Sequence, residues 1–192
     1  MCIVRKLDAG PVADVERVRI EKLDTALEVE GKLSAACVPL VARALPRLID
    51  GALTLVPQDD ARATFCRKLV KDDGALDFSE PASVLAARIN GLFPWPSCSI
   101  EIAGQSVKIG LAETLAVNND GQFGQIVKAD GDELILATGS GSLKLLKLQR
   151  PGGKMLSTAE FLRGFQVRAG DIIQSRPMPV LTADQPFRQI KK

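Results

Sequence analysis

The amino-acid sequence predicts an α/β segment joined by a polar linker to a basic, antiparallel β-barrel of the oligonucleotide-binding type. Three observations lead there. Between Thr25 and Gly51 apolar residues recur at the three- and four-residue spacing of a helix. Beyond Pro96 the period falls to two, in five short apolar runs separated by Gly-rich turns, a pattern that closes naturally into a small barrel. A polar, proline-marked stretch, Thr54 to Asp73, lies between the two regimes and has the composition of a linker. The expected division is therefore residues 1–53, a linker over 54–73, a barrel over 74–175 and a tail over 176–192.

The first turn is Leu7-Asp8-Ala9-Gly10-Pro11-Val12. Ile3 and Val4 favour extended backbone, Gly10 reaches angles closed to other residues, and Pro11 stops a helix from running through. Asp8 is thereby expected at the tip of a strand. Its carboxylate there is a proton acceptor, an orienting group, or a turn former bonded to its own backbone. Val12 to Ile20 reads as a short edge strand. Thr25, with Glu28 three residues later, opens a helix to about Ala36. Pro39 starts a second helix, which Pro46 bends and Asp50-Gly51 ends.

Past the linker, Ser79 is expected to cap a helix led by Pro81, with Val84, Leu85 and Ile89 as its apolar stripe and Arg88 beside them; Asn90-Gly91 stops it. Pro94-Trp95-Pro96 forms an extended corner whose ring is a core residue or a stacking platform, with core the favoured reading. Strands follow over 97–102, 107–111, 126–129, 134–138 and 143–148. The adjacent Leu145-Leu146 breaks the alternation, which implies a bulge or a strand buried on both faces. Ser157 and Glu160 form a capping box for a helix through Leu162, Ile172-Ile173 makes a last strand, and the chain from Pro177 reads as a loose arm.

Composition excludes whole classes of chemistry. The 192 residues contain no His, so Ser-His-Asp and Cys-His systems, His metal ligands and His bases are absent from this chain. Cys2, Cys37, Cys66 and Cys98 have neither zinc spacing nor disulfide density and read as reduced, partly buried small hydrophobes. No metal site is expected. With no secretory signal and no bilayer-length apolar run, a soluble cytoplasmic protein without a membrane partner is the expectation. Net charge is only +2, yet from Ser140 onward ten Lys and Arg face three Asp and Glu. That asymmetry suits an anionic partner such as nucleic acid, or a solvated basic face.

Five segments together resemble a known family: Leu7-Asp8-Ala9-Gly10-Pro11-Val12, Pro57-Gln58-Asp59-Asp60, Lys68-Leu69, Phe93-Pro94-Trp95-Pro96 and Leu148-Gln149-Arg150-Pro151-Gly152-Gly153-Lys154-Met155. Their order and spacing are similar to those of bacterial methionyl-tRNA formyltransferases, up to about Ile173. The resemblance implies that residues 1–53 are the remnant of a Rossmann-like catalytic domain and that the barrel helps to hold tRNA. It implies transfer of a formyl group from 10-formyltetrahydrofolate to the amino group of initiator methionyl-tRNA. The family's catalytic set is an Asn, a His and the Asp of the turn, of which only Asp8 has a counterpart here. The chain alone is accordingly expected to lack the donor site and to be inactive, with an N-terminal half as a partner, and otherwise monomeric. Lys144, Lys147, Arg150 and Lys154 are expected on tRNA phosphates, with Gly152 and Gly153 admitting the backbone closely and Lys68 and Arg88 as further candidates. Phe65 and Phe78 replace a common Tyr and Trp, and Gly121-Gln122-Phe123-Gly124 replaces a Pro-Gly-Thr turn. The alternatives are a sugar-nucleotide formyltransferase fragment and a non-enzymatic RNA-binding module.

Overall fold

The computed structural model describes residues 1–117 and 120–187. Arg188, Lys191 and Lys192, three of the basic residues counted above, lie outside the described residues. The main elements are α1 (Ala26–Ile49), β1 (Phe65–Cys66), α2 (Ala82–Gly91), β2 (Cys98–Ile102), β3 (Gln105–Leu115), β4 (Ile126–Asp130), β5 (Glu133–Ala137), β6 (Ser142–Gln149), β7 (Met155–Ser157), α3 (Thr158–Gly164) and β8 (Thr182–Ala183). They fall into two compact units, one of Met1–Ile20, Glu28–Lys68 and Leu181–Lys192, the other of Glu21–Leu27 and Leu69–Val180.

The second unit is a six-stranded antiparallel sheet in the order β2-β3-β6-β5-β4, with β7 added to β6. Its alternating runs form strands because one face has a core to cover: Ile109, Leu134, Leu143, Leu145 and Leu148 are fully buried. Phe78, Leu85 and Ile89 from the segment around α2, and Phe161 from α3, complete that core. The Leu145-Leu146 phase break is a bulge. Ala112 faces Leu145 and Leu111 faces Lys147, so Leu146 has no partner on β3. Gly110 is skipped in the same way on the opposite strand. Asn90, where α2 ends, is buried and bonds both polar groups of Ala112, Nδ2 donating to its carbonyl at 3.0 Å and Oδ1 accepting from its N–H at 2.9 Å. It thereby satisfies backbone that the irregular ladder leaves open.

Several expectations need correction. Pro39 and Pro46 both lie inside one continuous helix, α1, in place of the two expected helices. Val12–Ile20 forms no strand beyond a single bridge, Val12 to Val56. Its polar groups are taken by α1 instead: Arg43 donates to Asp14 at 2.9 Å and to the carbonyl of Val15 at 3.0 Å. Ser79 does not cap α2; Pro81 occupies the cap position and the Ser79 hydroxyl bonds Asp77. Ile172 makes one bridge to Gln125 rather than a strand. β7 and β8 have no counterpart among the expected strands, and the supposed loose arm pairs Ala183 and Thr182 with Phe65 and Cys66. Cys37 and Cys66 are exposed, and only Cys98 is buried. The Ser157–Glu160 capping box and the Gly51 helix end are as expected, Gly51 taking φ +66°.

Candidate functional site

The basic residues meet on the β6–β7 hairpin. Gln149 pairs with Met155, so Arg150 to Lys154 make the turn. Gly152 takes φ +68°, a left-handed conformation that a side chain would oppose. The Gly153 N–H donates to the Arg150 carbonyl at 2.9 Å, and Gln149 Nε2 donates to the Gly153 carbonyl at 2.6 Å. This clamp by Gln149, a residue with no role assigned from sequence, fixes the turn from inside. Lys147, on β6, and Lys154, in the turn itself, are both exposed. Arg150 reaches the carbonyl of Gly164 at 3.2 Å and so ties the turn to the end of α3.

Lys144 is on the same strand but differently engaged. Its side chain is 18% exposed and its ammonium lies 3.5 Å from Glu133. Glu133 is also bonded by Lys128, and that hydrogen bond, with Lys144 adding to it, holds the Glu133 carboxyl below the usual carboxylate range. Arg88 is a framework residue in this arrangement: Nε donates to the carbonyl of Asp73 and Nη2 to that of Pro179, both at 3.0 Å. Trp95 is 60% exposed, which corrects the expectation of a core ring. Lys68 is exposed and belongs with the first unit.

Asp8 occupies a separate site, in the first unit. A cleft of about 950 Å³ runs past Asp8, Val12, Val56, Gln58, Asp60 and Phe65. Asp8 has φ +52°, which disfavours most side chains by about 1–2 kcal/mol and which Asp tolerates better than most. Gln58 Nε2 donates to the carbonyls of Asp8, at 2.8 Å, and of Gly10, at 2.7 Å. Lys6 pairs with Asp60 at 2.8 Å on the rim. Among the described residues the Asp8 carboxylate accepts no hydrogen bond and forms no ion pair, whereas a turn former would spend it on its own backbone. Gln58 and Asp60 stand in the Pro57-Gln58-Asp59-Asp60 segment, but nothing in its spacing tells that the Gln side chain folds back on a turn some fifty residues earlier.

Among the described residues no group of His, Cys, Asp and Glu could hold a metal ion, and no helix is long and apolar enough to cross a membrane.

A family model described as the C-terminal domain of formyl transferase matches residues 68–166. A methionyl-tRNA formyltransferase of Ralstonia nicotianae is 37% identical over 172 residues, 88% of this chain and 53% of the relative. One of Bacillus licheniformis is 34% identical over 171 residues, 88% of this chain and 54% of the relative. The chain thus spans about half the length of the curated relatives it matches. HypX from Aquifex aeolicus, solved in complex with tetrahydrofolic acid, superposes with a TM-score of 0.59 at 17% identity, covering 90% of this chain and 32% of that one. The N-formyltransferase of Helicobacter canadensis, solved with folinic acid and dTDP-3-aminofucose, gives 0.60 at 15% identity over 75% of this chain and 52% of that one. At these identities the likeness is one of fold.

Proposed function

We propose, from the premise that this chain belongs to the formyl transferase family and carries its C-terminal domain, that it is the tRNA-holding part of a methionyl-tRNA formyltransferase acting in the cytoplasm. The observation that carries this reading is the β6–β7 hairpin, inside the matched span, with Lys147 and Lys154 exposed around a glycine turn. Exposed cations beside close-approaching backbone suit phosphates, and each contact adds to affinity without reading sequence. The antiparallel sheet, bent at Gly110 and Leu146, serves as the barrel of oligonucleotide-binding type, and residues 1–53 as the last part of a Rossmann-like catalytic domain.

The proposed reaction moves a formyl group from 10-formyltetrahydrofolate to the methionyl amine. The neutral amine attacks the formyl carbon and negative charge builds on its oxygen; the attacking nitrogen then sheds a proton, the folate nitrogen takes one up, and the carbon–nitrogen bond to folate breaks to release a neutral amine. Asp8 has a free carboxylate in a cleft and can accept that proton or orient a base that does. It cannot stabilise the oxyanion, and with no His in the chain the isolated polypeptide does not complete the transfer. The remaining groups of such a mechanism, an oxyanion donor and a base for Asp8 to orient, come from outside residues 1–192.

The sugar-nucleotide reading has one observation in its favour, the fold shared with the Helicobacter canadensis enzyme. Equilibrium binding separates the two. The purified chain is expected to bind initiator methionyl-tRNA, not to release it to a dTDP-linked amino sugar, and to give no formyl transfer with 10-formyltetrahydrofolate. Binding of the sugar nucleotide in place of tRNA overturns the tRNA reading, and transfer by the chain alone overturns the reading of Asp8 as one member of a larger catalytic set.

A further inference from the structure

We infer that Gln58 is the positioning residue of Asp8: its side-chain amide holds the Asp8–Gly10 turn in shape and so leaves the Asp8 carboxylate free. The inference rests on the reading of Asp8 as the acid–base group. Cys2 N–H donates to the Pro11 carbonyl at 2.9 Å just beyond the turn, but inside the turn the support is weak. Its own hydrogen bond, Ala9 N–H to the Lys6 carbonyl, is 3.5 Å long. Yet Asp8 sits at φ +52°, where a non-glycine residue needs outside support. Gln58 supplies it by bonding the carbonyls on both sides of Ala9 with a single Nε2, at 2.8 Å to Asp8 and 2.7 Å to Gly10. The side chain arrives there because Val12 and Val56 exchange two backbone hydrogen bonds, of 2.8 and 2.9 Å, which lay residues 56–58 beside the turn. Close packing then seals the arrangement, since a Cβ on Gly10 would stand 1.8 Å from the carbonyl oxygen of Cys2. An Asp that shaped its own turn would consume its carboxylate. Here the shaping is done by another residue's donors.

Gln58→Glu has the same size and removes both N–H donors, presenting oxygens to two carbonyls; Gln58→Leu keeps bulk and has no polar group. In the full chain labelled with 15N, two quantities are read: the Asp8 HN–Hα coupling, which follows φ, and amide exchange of Ala9 and Gly10. At pH 7 both variants are expected to lose the left-handed coupling and to exchange at least tenfold faster, with sheet amides such as Leu145 unchanged. Below the ordinary carboxyl range, roughly pH 4, the carboxyl introduced by Gln58→Glu is protonated and regains one O–H donor, so that variant recovers toward the parent while Gln58→Leu does not. The sign is that of a bond made by the protonated form, present at low pH and lost as pH rises. A parent-like turn in Gln58→Glu at pH 7, or identical behaviour of the two variants at every pH, overturns the inference, because a side chain that only fills space makes no distinction between them. No tRNA or folate is used. A chain that shows this pattern but binds no tRNA refutes the functional reading alone, and a chain that binds tRNA without the pattern refutes the role of Gln58 alone.

Discussion

Glu133 stands 3.5 Å from Lys144, while Lys147, further along β6, is exposed. A cation already neutralised by a carboxylate has less to offer a phosphate. Lys144→Ala is therefore expected to weaken RNA binding less than Lys147→Ala, and Glu133→Gln to strengthen it severalfold at low salt by releasing both Lys144 and Lys128. Fluorescence anisotropy with a labelled tRNA checks the order. Equal losses for the two lysines would contradict it.

Asn90 is buried and bonded to both polar groups of Ala112. Asn90→Ala strands an N–H and a C=O in the core, at a cost of about 2–4 kcal/mol. Urea unfolding followed by far-ultraviolet circular dichroism measures it. Asn90→Asp keeps an acceptor for the Ala112 N–H but buries a charge against a carbonyl, so it is expected to be no better.

Gly10→Ala is expected to open the Asp8 turn, because the new methyl group would meet the Cys2 carbonyl oxygen at 1.8 Å. Either the Cys2 N–H to Pro11 carbonyl bond, 2.9 Å, or the turn must yield. Overpacking of this kind costs about 1–3 kcal/mol. The signature is faster amide exchange over residues 2–12 with the antiparallel sheet unaffected.

Acid should loosen the entry to α2. The Ser79 N–H and hydroxyl bond the Asp77 carboxylate, at 3.1 and 2.8 Å, and with Ser175 they hold its pKa below the ordinary value. A lowered folded pKa stabilises the fold above the unfolded value, near 3.9, and that contribution is lost as pH falls through the folded pKa. Thermal midpoints taken from pH 6 to pH 2.5 are expected to drop less steeply in Asp77→Asn than in the parent. Parallel curves would rule the contribution out.

What the sequence makes legible is local and periodic. The two-residue alternation, the Leu145-Leu146 phase break and the Ser157–Glu160 box each follow from neighbours along the chain, and each has its structural counterpart. Helical period in α1 is legible too, but period alone does not say that a face is covered: Val38, Val41, Leu45 and Leu48 are exposed and no residue of α1 is buried. Long-range pairings are out of its reach. β8 joins β1 across more than a hundred residues, and Gln58 reaches the Asp8 turn across fifty. Trp95 misleads because an aromatic flanked by prolines looks like core, whereas this loop turns the ring outward. At the hairpin the glycines and cations are evident from spacing, but which lysine is already paired depends on Glu133 from another strand.

Phosphates held by the β6–β7 hairpin would leave their mark in the salt dependence of tRNA binding. Affinity for initiator methionyl-tRNA, measured from about 50 to 200 mM salt, is expected to be lower in the double variant Lys147→Glu, Lys154→Glu. The slope of log affinity against log salt should be shallower by about one to two, as the loss of two phosphate contacts requires. An unchanged affinity together with an unchanged slope would mean that Lys147 and Lys154 do not meet tRNA phosphates.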